Sequence, residues 1–158
     1  MKKSLIGLLP LIDRSFMFHV GYQLPVPTNV HDRYLWLHTQ APYSLLAHDN
    51  SDDPKFIYSN QRALHCFKYT EEEIIGLSSR FSAAETDRSA RQELLLTVRD
   101  KGIAGNYTGP RVDKFNQTFT IHDGIVWQIY NEKQELAGQA ALFWPDALER
   151  PAWFKSTL

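Results

Sequence analysis

The reactive side chains of this chain set narrow limits on its chemistry. Histidines stand at positions 19, 31, 38, 48, 65 and 122 and a single cysteine at 66. No histidine pair has metal-ligand spacing, and a zinc site would lack paired thiolates. His65 and Cys66 are neighbours on a predicted helix, so their side chains diverge by about 100° and cannot work as base and nucleophile. No serine occupies a nucleophile elbow and no glycine-rich phosphate loop occurs. These residues predict a binding module and not an enzyme. Candidates to hold a ligand are Arg80, Asn106 and Tyr107, with Phe119, Trp127 and Gln139 on predicted strands. The Arg80 guanidinium suits phosphate oxygens; it suits equally a carboxylate of its own loop, Glu85 or Asp87. Phe119 and Trp127 also read as plain core, the usual place of aromatics on a covered face. Asp123 falls on an apolar strand face, where an unpaired charge is costly. Either it points at a ligand or water, or a bulge at Gly124 turns it outward, and the glycine favours the bulge. His48, beside Asp49 and near Asp53, reads as a residue that orders a hairpin.

The elements that must position these side chains follow from periodicity and caps. "QLPVPTN" (Gln23 to Asn29) is an extended connector, which makes residues 1–30 an arm and linker. Tyr34, Leu35, Leu37 and His38 lie at helical spacing in a short helix that stops before Pro42. "YSLLAHD" and "KFIYS" flank the polar turn "NSDDP" and predict a hairpin. Asn60 caps a helix over "QRALHCFKY". Thr70 and Glu73 form a capping box, and Gly76 ends that turn in a left-handed conformation. A second box, Ser82 with Glu85, precedes the longest helix, where Ala90, Leu94 and Val98 share a face widened by Leu95, and Gly102 ends it. Three strands follow: "GNYTGPRVD", "KFNQTFTIHDGIVWQIY" and "ELAGQAALFW". The odd positions Phe119, Ile121, Ile125, Trp127 and Ile129 are expected to share one buried face. Two strands, a helical crossover and a three-stranded meander give an α+β domain: a five-stranded antiparallel sheet with helices on one face.

The whole chain of 158 residues is 43% apolar and 13% aromatic, enough for one domain with a sizeable core. A formal net charge of −1 provides no basic stripe for nucleic acid. The N-terminal run "SLIGLLPLI" follows two lysines, but Pro10 interrupts it and Asp13 and Arg14 close it. It is too short for a membrane span of about 20 residues and lacks a signal-peptide cleavage pattern. A cytoplasmic protein is expected. The domain is placed at residues 31–146, with a tail at 147–158.

The order of elements, with "FIYSNQRALHCFKYTEEEIIGL", resembles the opening half of a PAS domain. More specifically, "AHDNSDDPKFIYSNQRAL" (Ala47 to Leu64), "SSRFSAAETDR" (Ser78 to Arg88), "GNYTGPRVD" (Gly105 to Asp113), "FTIHDGIVWQI" (Phe119 to Ile129) and "GQAALFW" (Gly138 to Trp144) resemble the MEKHLA domain. That PAS-related family is found alone in bacteria and at the C-terminus of certain plant transcription factors. The resemblance runs from about Tyr34 to Trp144. The stretch "GLSSRFSAAETDR" also resembles the flavin-binding motif of the light-oxygen-voltage branch, sharing Gly76, Arg80, Phe81, Thr86 and Asp87. It differs at the positions that handle the flavin ring: Ser78 replaces an asparagine, Ser79 the photoactive cysteine and Ala83 a glutamine. A serine hydroxyl is too poor a nucleophile for the covalent photochemistry. Gln139 corresponds to a glutamine of the last strand that contacts flavin in that branch. It follows Gly138 directly, so strand alternation predicts that it faces the other way.

The resemblance implies a sensory module in which a small molecule, redox state or partner biases the helices over the sheet. Such a module is expected to act as a homodimer and to pass its signal in trans to a partner protein. Two other readings stand beside it: a ligand-free dimerisation or protein-interaction module with a filled core, and a flavin protein without photochemistry. The cofactor, if any, is unknown at this level.

Overall fold

A computed structural model of the chain describes residues 5–83 and 88–145. Helix α1 (Leu9–Val20) carries Pro10 in its first turn, where the missing N–H costs nothing. It ends at Gly21 in left-handed backbone, whose N–H donates to the Met17 carbonyl. Helix α2 (Arg33–Thr39) starts at Asp32, whose carboxylate accepts from the Leu35 N–H. Strands β1 (Ser44–Asp49) and β2 (Phe56–Ser59) form the expected antiparallel hairpin. Asn60 caps helix α3 (Gln61–Phe67), as the sequence indicates, and does more. Fully buried, its Oδ1 accepts from Leu45 and Ala63 N–H while its Nδ2 donates to the Leu37 and Tyr43 carbonyls, tying α2, β1 and α3 together.

Helix α4 (Glu71–Ile74) has both halves of the Thr70–Glu73 capping box. A 3₁₀ turn (Ser79–Ser82) follows, then α5 (Arg88–Lys101), closed by left-handed Gly102. The Ser82 hydroxyl donates to the Ser79 carbonyl, and Glu85 of the expected second box lies outside the described residues. Leu94 and Val98 bury the inner face of α5; Leu95 is 39% exposed and Ala90 is exposed, so the buried stripe is narrower than the sequence suggests. Strands β3 (Ile103–Val112), β4 (Thr118–Tyr130) and β5 (Leu136–Trp144) complete one antiparallel sheet of order β2-β1-β5-β4-β3. The expected tail at 147–158 lies outside the described residues.

Helices α3, α4 and α5 lie on one face of the sheet, as expected, while Leu37 of α2 packs in the core of the other face and the N-terminal segment, expected as an arm, packs there too. Helix α1 covers the opposite face, where Leu9, Ile12 and Phe16 pack with Leu45, Trp127 and Leu142. Polar contacts hold it there. Trp127 Nε1 donates to the Ile12 carbonyl, Tyr130 N–H to Ser15 Oγ, and His19 Nε2 to the Gln128 carbonyl. Asp13, 1% exposed, accepts from Leu24 N–H, Arg33 Nε and Tyr34 OH, binding helix, connector and α2 in one network. The amphipathic run at the N-terminus was long enough to cover a sheet face, and the two prolines of the connector merely turn the chain toward α2.

Strand β4 changes face midway. Between His122 and Ile125 it advances three residues while β5 advances two, from Trp144 to Leu142. The bulge is at Asp123, whose φ of 51° is left-handed, as anticipated from Gly124. One extra residue reverses the side-chain parity. Phe119 and Ile121 therefore pack beneath α3 with Phe67 and Phe143, while Ile125, Trp127 and Ile129 pack beneath α1. The single buried face expected over 119–129 is thus divided between the two cores. Strand β3 answers with its own bulge at left-handed Asn106, between Ala104 and Tyr107, so both of these face the α3–α5 side.

Candidate functional site

A cavity of about 100 Å³ lies between the sheet and helices α3 and α5. Its walls are mainly apolar, with Phe56, Phe67, Leu94, Ile121 and Val126 among them. Polar groups stand around it: Ser79 and Ser82 from the 3₁₀ turn, Tyr107 and Arg111 from β3, His48 from β1 and Gln139 from β5. A second groove of about 320 Å³ adjoins it and shares His48, Ser79, Leu95 and Gln139. Arg80, Asp49 and Gln128 line that outer groove. Two adjoining spaces result, a chamber against α3 and α5 and a vestibule beside it, each mainly apolar with a few polar groups.

Local geometry explains each position. Tyr107 and Arg111 are four residues apart on β3 and so share a face. Arg111 Nη1 donates to Tyr107 OH at 3.0 Å and to the Pro110 carbonyl at 2.9 Å, and the guanidinium stands 5.1 Å from the tyrosine ring centre. A bridge between Ala83 and Arg111 brings the 3₁₀ turn against this end of β3. Gly124 faces Tyr107 so closely that a β-carbon there would stand 3.2 Å from its carbonyl oxygen. At Gly138 a β-carbon would meet the His48 carbonyl oxygen at 2.1 Å, so this glycine permits β5 to approach β1 beside the vestibule. His48 Nδ1 donates to the Asp49 carbonyl, which makes Nε2 the acceptor of the neutral ring. Asp49 organises the hairpin turn: the Ser51 hydroxyl and the backbone N–H groups of Lys55 and Ser51 hold its carboxyl below the usual range.

The structure brings together three of the seven candidate residues. Tyr107 and Gln139 line the chamber, and Arg80 lines the vestibule with Gln139. Gln139 faces the cavity side and not the opposite one, because Ala141 and Phe143 on the same face pack with the α3–α5 core. Arg80 is 67% exposed, lies 3.6 Å from Asp53 and stacks on Phe81 at 4.9 Å; Glu85 and Asp87, its expected partners, lie outside the described residues. The other four candidates are placed elsewhere. Trp127 is fully buried under α1, 4.9 Å from Phe16 in an edge contact. Phe119 packs on Phe67 at 5.0 Å. Asn106 and Asp123 occupy the paired bulges and line neither space. Sequence reasoning missed Arg111, although its four-residue spacing from Tyr107 on a strand was a usable signal.

The fold and the sequence can now be set against known proteins. The PAS domain of a protein from Colwellia psychrerythraea superposes with a TM-score of 0.61 at 16% identity, covering 70% of this chain and 91% of that one. The LOV domain of a blue-light activated histidine kinase from Erythrobacter litoralis superposes with a TM-score of 0.56 at 20% identity, covering 66% of this chain and 95% of that one. These likenesses show a PAS-type fold. The chamber by itself is smaller than the ~150 Å³ cavity that holds one benzene ring, and so smaller than the three fused rings of a flavin. Ser79 also supplies a hydroxyl on the wall where that chemistry needs a thiol. No curated protein matches the sequence. Among the described residues no helix is long and apolar enough to cross a membrane, and no cluster of three or more potential metal ligands occurs. The family model of the MEKHLA domain matches residues 6–145, taking in α1 as well as the sheet and its helices, and the chain belongs to the MEKHLA domain family.

Proposed function

We propose that the chain is a sensory module, not an enzyme, whose chamber takes a small ligand and whose response passes in trans to a partner protein. The observation that carries this reading is the juxtaposition of an apolar chamber with a ring of polar groups, opening into a vestibule at the end of the sheet where β1, β5 and the 3₁₀ turn meet. Ligand sites have this composition: apolar walls with a few placed polar atoms. A ligand there would touch Leu94 on α5 and Gln139 on β5 at once, so occupancy would bias the helix against the sheet. Met17 and Phe18, 47% and 75% exposed on α1, give a second copy or a partner an apolar contact on the opposite face.

The small volume of the chamber favours a second reading, a ligand-free dimerisation module whose core is nearly filled. Native mass spectrometry of the folded chain against its denatured mass separates the two. A retained molecule of low mass is expected; a folded mass equal to the bare chain from every expression host would reject the sensory reading in favour of the filled core.

A further inference from the structure

Within the reading of these spaces as a ligand site, the register of the sheet narrows the ligand class. Two rows of side chains cross β1, β5 and β4 on the face under α3 and α5. Leu46, Ala141 and Val126 are register partners and give the chamber an apolar row. Two residues along each strand, His48, Gln139 and Gln128 are register partners in turn and give the vestibule a polar row. The two glutamines therefore stand on adjacent strands, about 5 Å apart. Gln128 Oε1 accepts from Tyr130 OH at 3.0 Å, and its N–H groups remain as donors. Among the described residues the Gln139 amide has no hydrogen-bond partner, so it offers both donor and acceptor. The two charged side chains of the vestibule are opposite in sign and already engaged: Asp49 by Ser51 and Lys55, Arg80 by Asp53 at 3.6 Å. Leu95 and Leu136, both exposed, line the same space and give a flat ring apolar contact. A primary amide meets a donor and acceptor set side by side in two-point contact, as glutamine does at adenine. We infer that the vestibule takes a neutral, flat heterocycle bearing such an edge, its polar side on Gln139 and Gln128 and its apolar side over Ala141 toward the chamber. The vestibule has roughly twice the volume of the ~150 Å³ cavity that holds one benzene ring, which admits one or two fused rings.

The inference separates from a generic apolar groove through that polar edge alone. Binding of two matched pairs, 9-methyladenine with 9-methylpurine and 2-pyridone with pyridine, is measured by calorimetry on the full chain at neutral pH. Each pair shares its ring system, and only the first member sets a donor beside an acceptor. In at least one pair the first member is expected to bind about tenfold more tightly, the worth of one two-point amide contact. Gln139→Leu should erase that preference while leaving the second member's affinity unchanged, and Gln128→Leu should reduce it in part. Thermal unfolding of each variant shows that it is folded. Should Gln139→Leu not fold, the isosteric Gln139→Glu, whose carboxylate only accepts, should lose the preference and carries the same test. Second members that bind as well as the first, or a preference that survives Gln139→Leu, overturn the inference while the two spaces remain a ligand site. Failure of all four probes also overturns it, and the retained-mass measurement then decides separately whether the sensory reading stands.

Discussion

Under α1 the sheet carries Trp127 and Trp144, each without measurable exposure, with Phe16 from the helix wedged edge-on against Trp127. Under α3 and α5 the same strands carry Gly124, Val126 and Ala141, and a chamber remains. The contrast arises within single strands, since alternate residues of β4 and β5 face opposite ways. Large residues toward α1 make a sealed core whose role is cohesion. Small ones toward α5, interrupted by Tyr107, Arg111 and Gln139, leave room and polarity that cohesion alone does not need. One face thus stabilises the domain, and under the function proposed above the other is the one that takes the ligand.

The most direct way to break this contrast is to empty the sealed side. Trp127→Ala removes a fully buried indole and its bond to the Ile12 carbonyl, and should cost about 3–5 kcal/mol in urea unfolding. Val126→Ala, one residue away but facing the chamber, should cost less than half as much, because its surroundings already include free volume. Equal losses at the two sites would show that the faces are packed alike. Next in size is the network that holds α1 down. Asp13→Ala leaves Arg33 and the Leu24 N–H without their buried acceptor. Loss of one partner from a fully buried pair costs about 3–5 kcal/mol, and the partial exposure of Arg33 lowers the expectation to about 2 kcal/mol. A denaturation midpoint unchanged within error would remove Asp13 from the forces that seat the helix.

A smaller stability effect with a larger functional one is expected on the open side. Ala141→Leu places methyl groups into the chamber wall and should change stability by about 1 kcal/mol or less, since the space can accept them. The same substitution should abolish retention of any small molecule in native mass spectrometry. Retention unchanged by this filling would place the ligand outside the chamber.

Much of this architecture was legible in the sequence because its signals are local. The Asn60 cap, the Thr70–Glu73 box and Gly102 act within one turn, and each is found in its expected role. The β1–β2 hairpin and the β3–β4–β5 meander followed from antiparallel succession, whereas the pairing of β1 with β5 that joins them carries no local signal. What escaped was the sharing of β4 between two cores. Strict alternation over residues 119–129 is true of side chains only while the strand is regular, and one extra residue at Asp123 transfers Trp127 from one core to the other. The same limit applies to Gln139, whose facing depended on where β5 enters its register with β1 at Gly138. Helix α1 was obscured for a different reason: its apolar positions are those of any amphipathic segment, and nothing local states that they bury against a sheet more than a hundred residues later. Arg111 was visible as a residue but not as a wall of the site, because the wall exists only once β3 is bent at Asn106 and the 3₁₀ turn is brought against it.

The smallest expected effect lies at the edge where the two covers meet. His38 of α2 is 5% exposed, with Nδ1 2.9 Å from the buried Tyr58 hydroxyl and Nε2 3.9 Å from Oε1 of Glu71 on α4. That carboxylate oxygen is buried without a hydrogen bond, so a proton on His38 would find an attractive neighbour. Burial opposes this more strongly, and holds the imidazole below its ordinary value of 6.5. A histidine depressed in the folded state binds its proton more readily when unfolded. Its contribution is therefore complete above pH 6.5 and is lost as the pH falls below that value toward the folded-state pKa. Urea unfolding between pH 7.5 and 5 should accordingly show a downward slope with acidification that His38→Asn flattens. The carboxyls of Asp49, Glu73 and Asp113, all held below their usual range, do not titrate in that window and cannot mimic it. A slope identical in the variant would mean that attraction to Glu71 cancels the cost of burying the charge, and the contact between α2 and α4 would then be indifferent to pH.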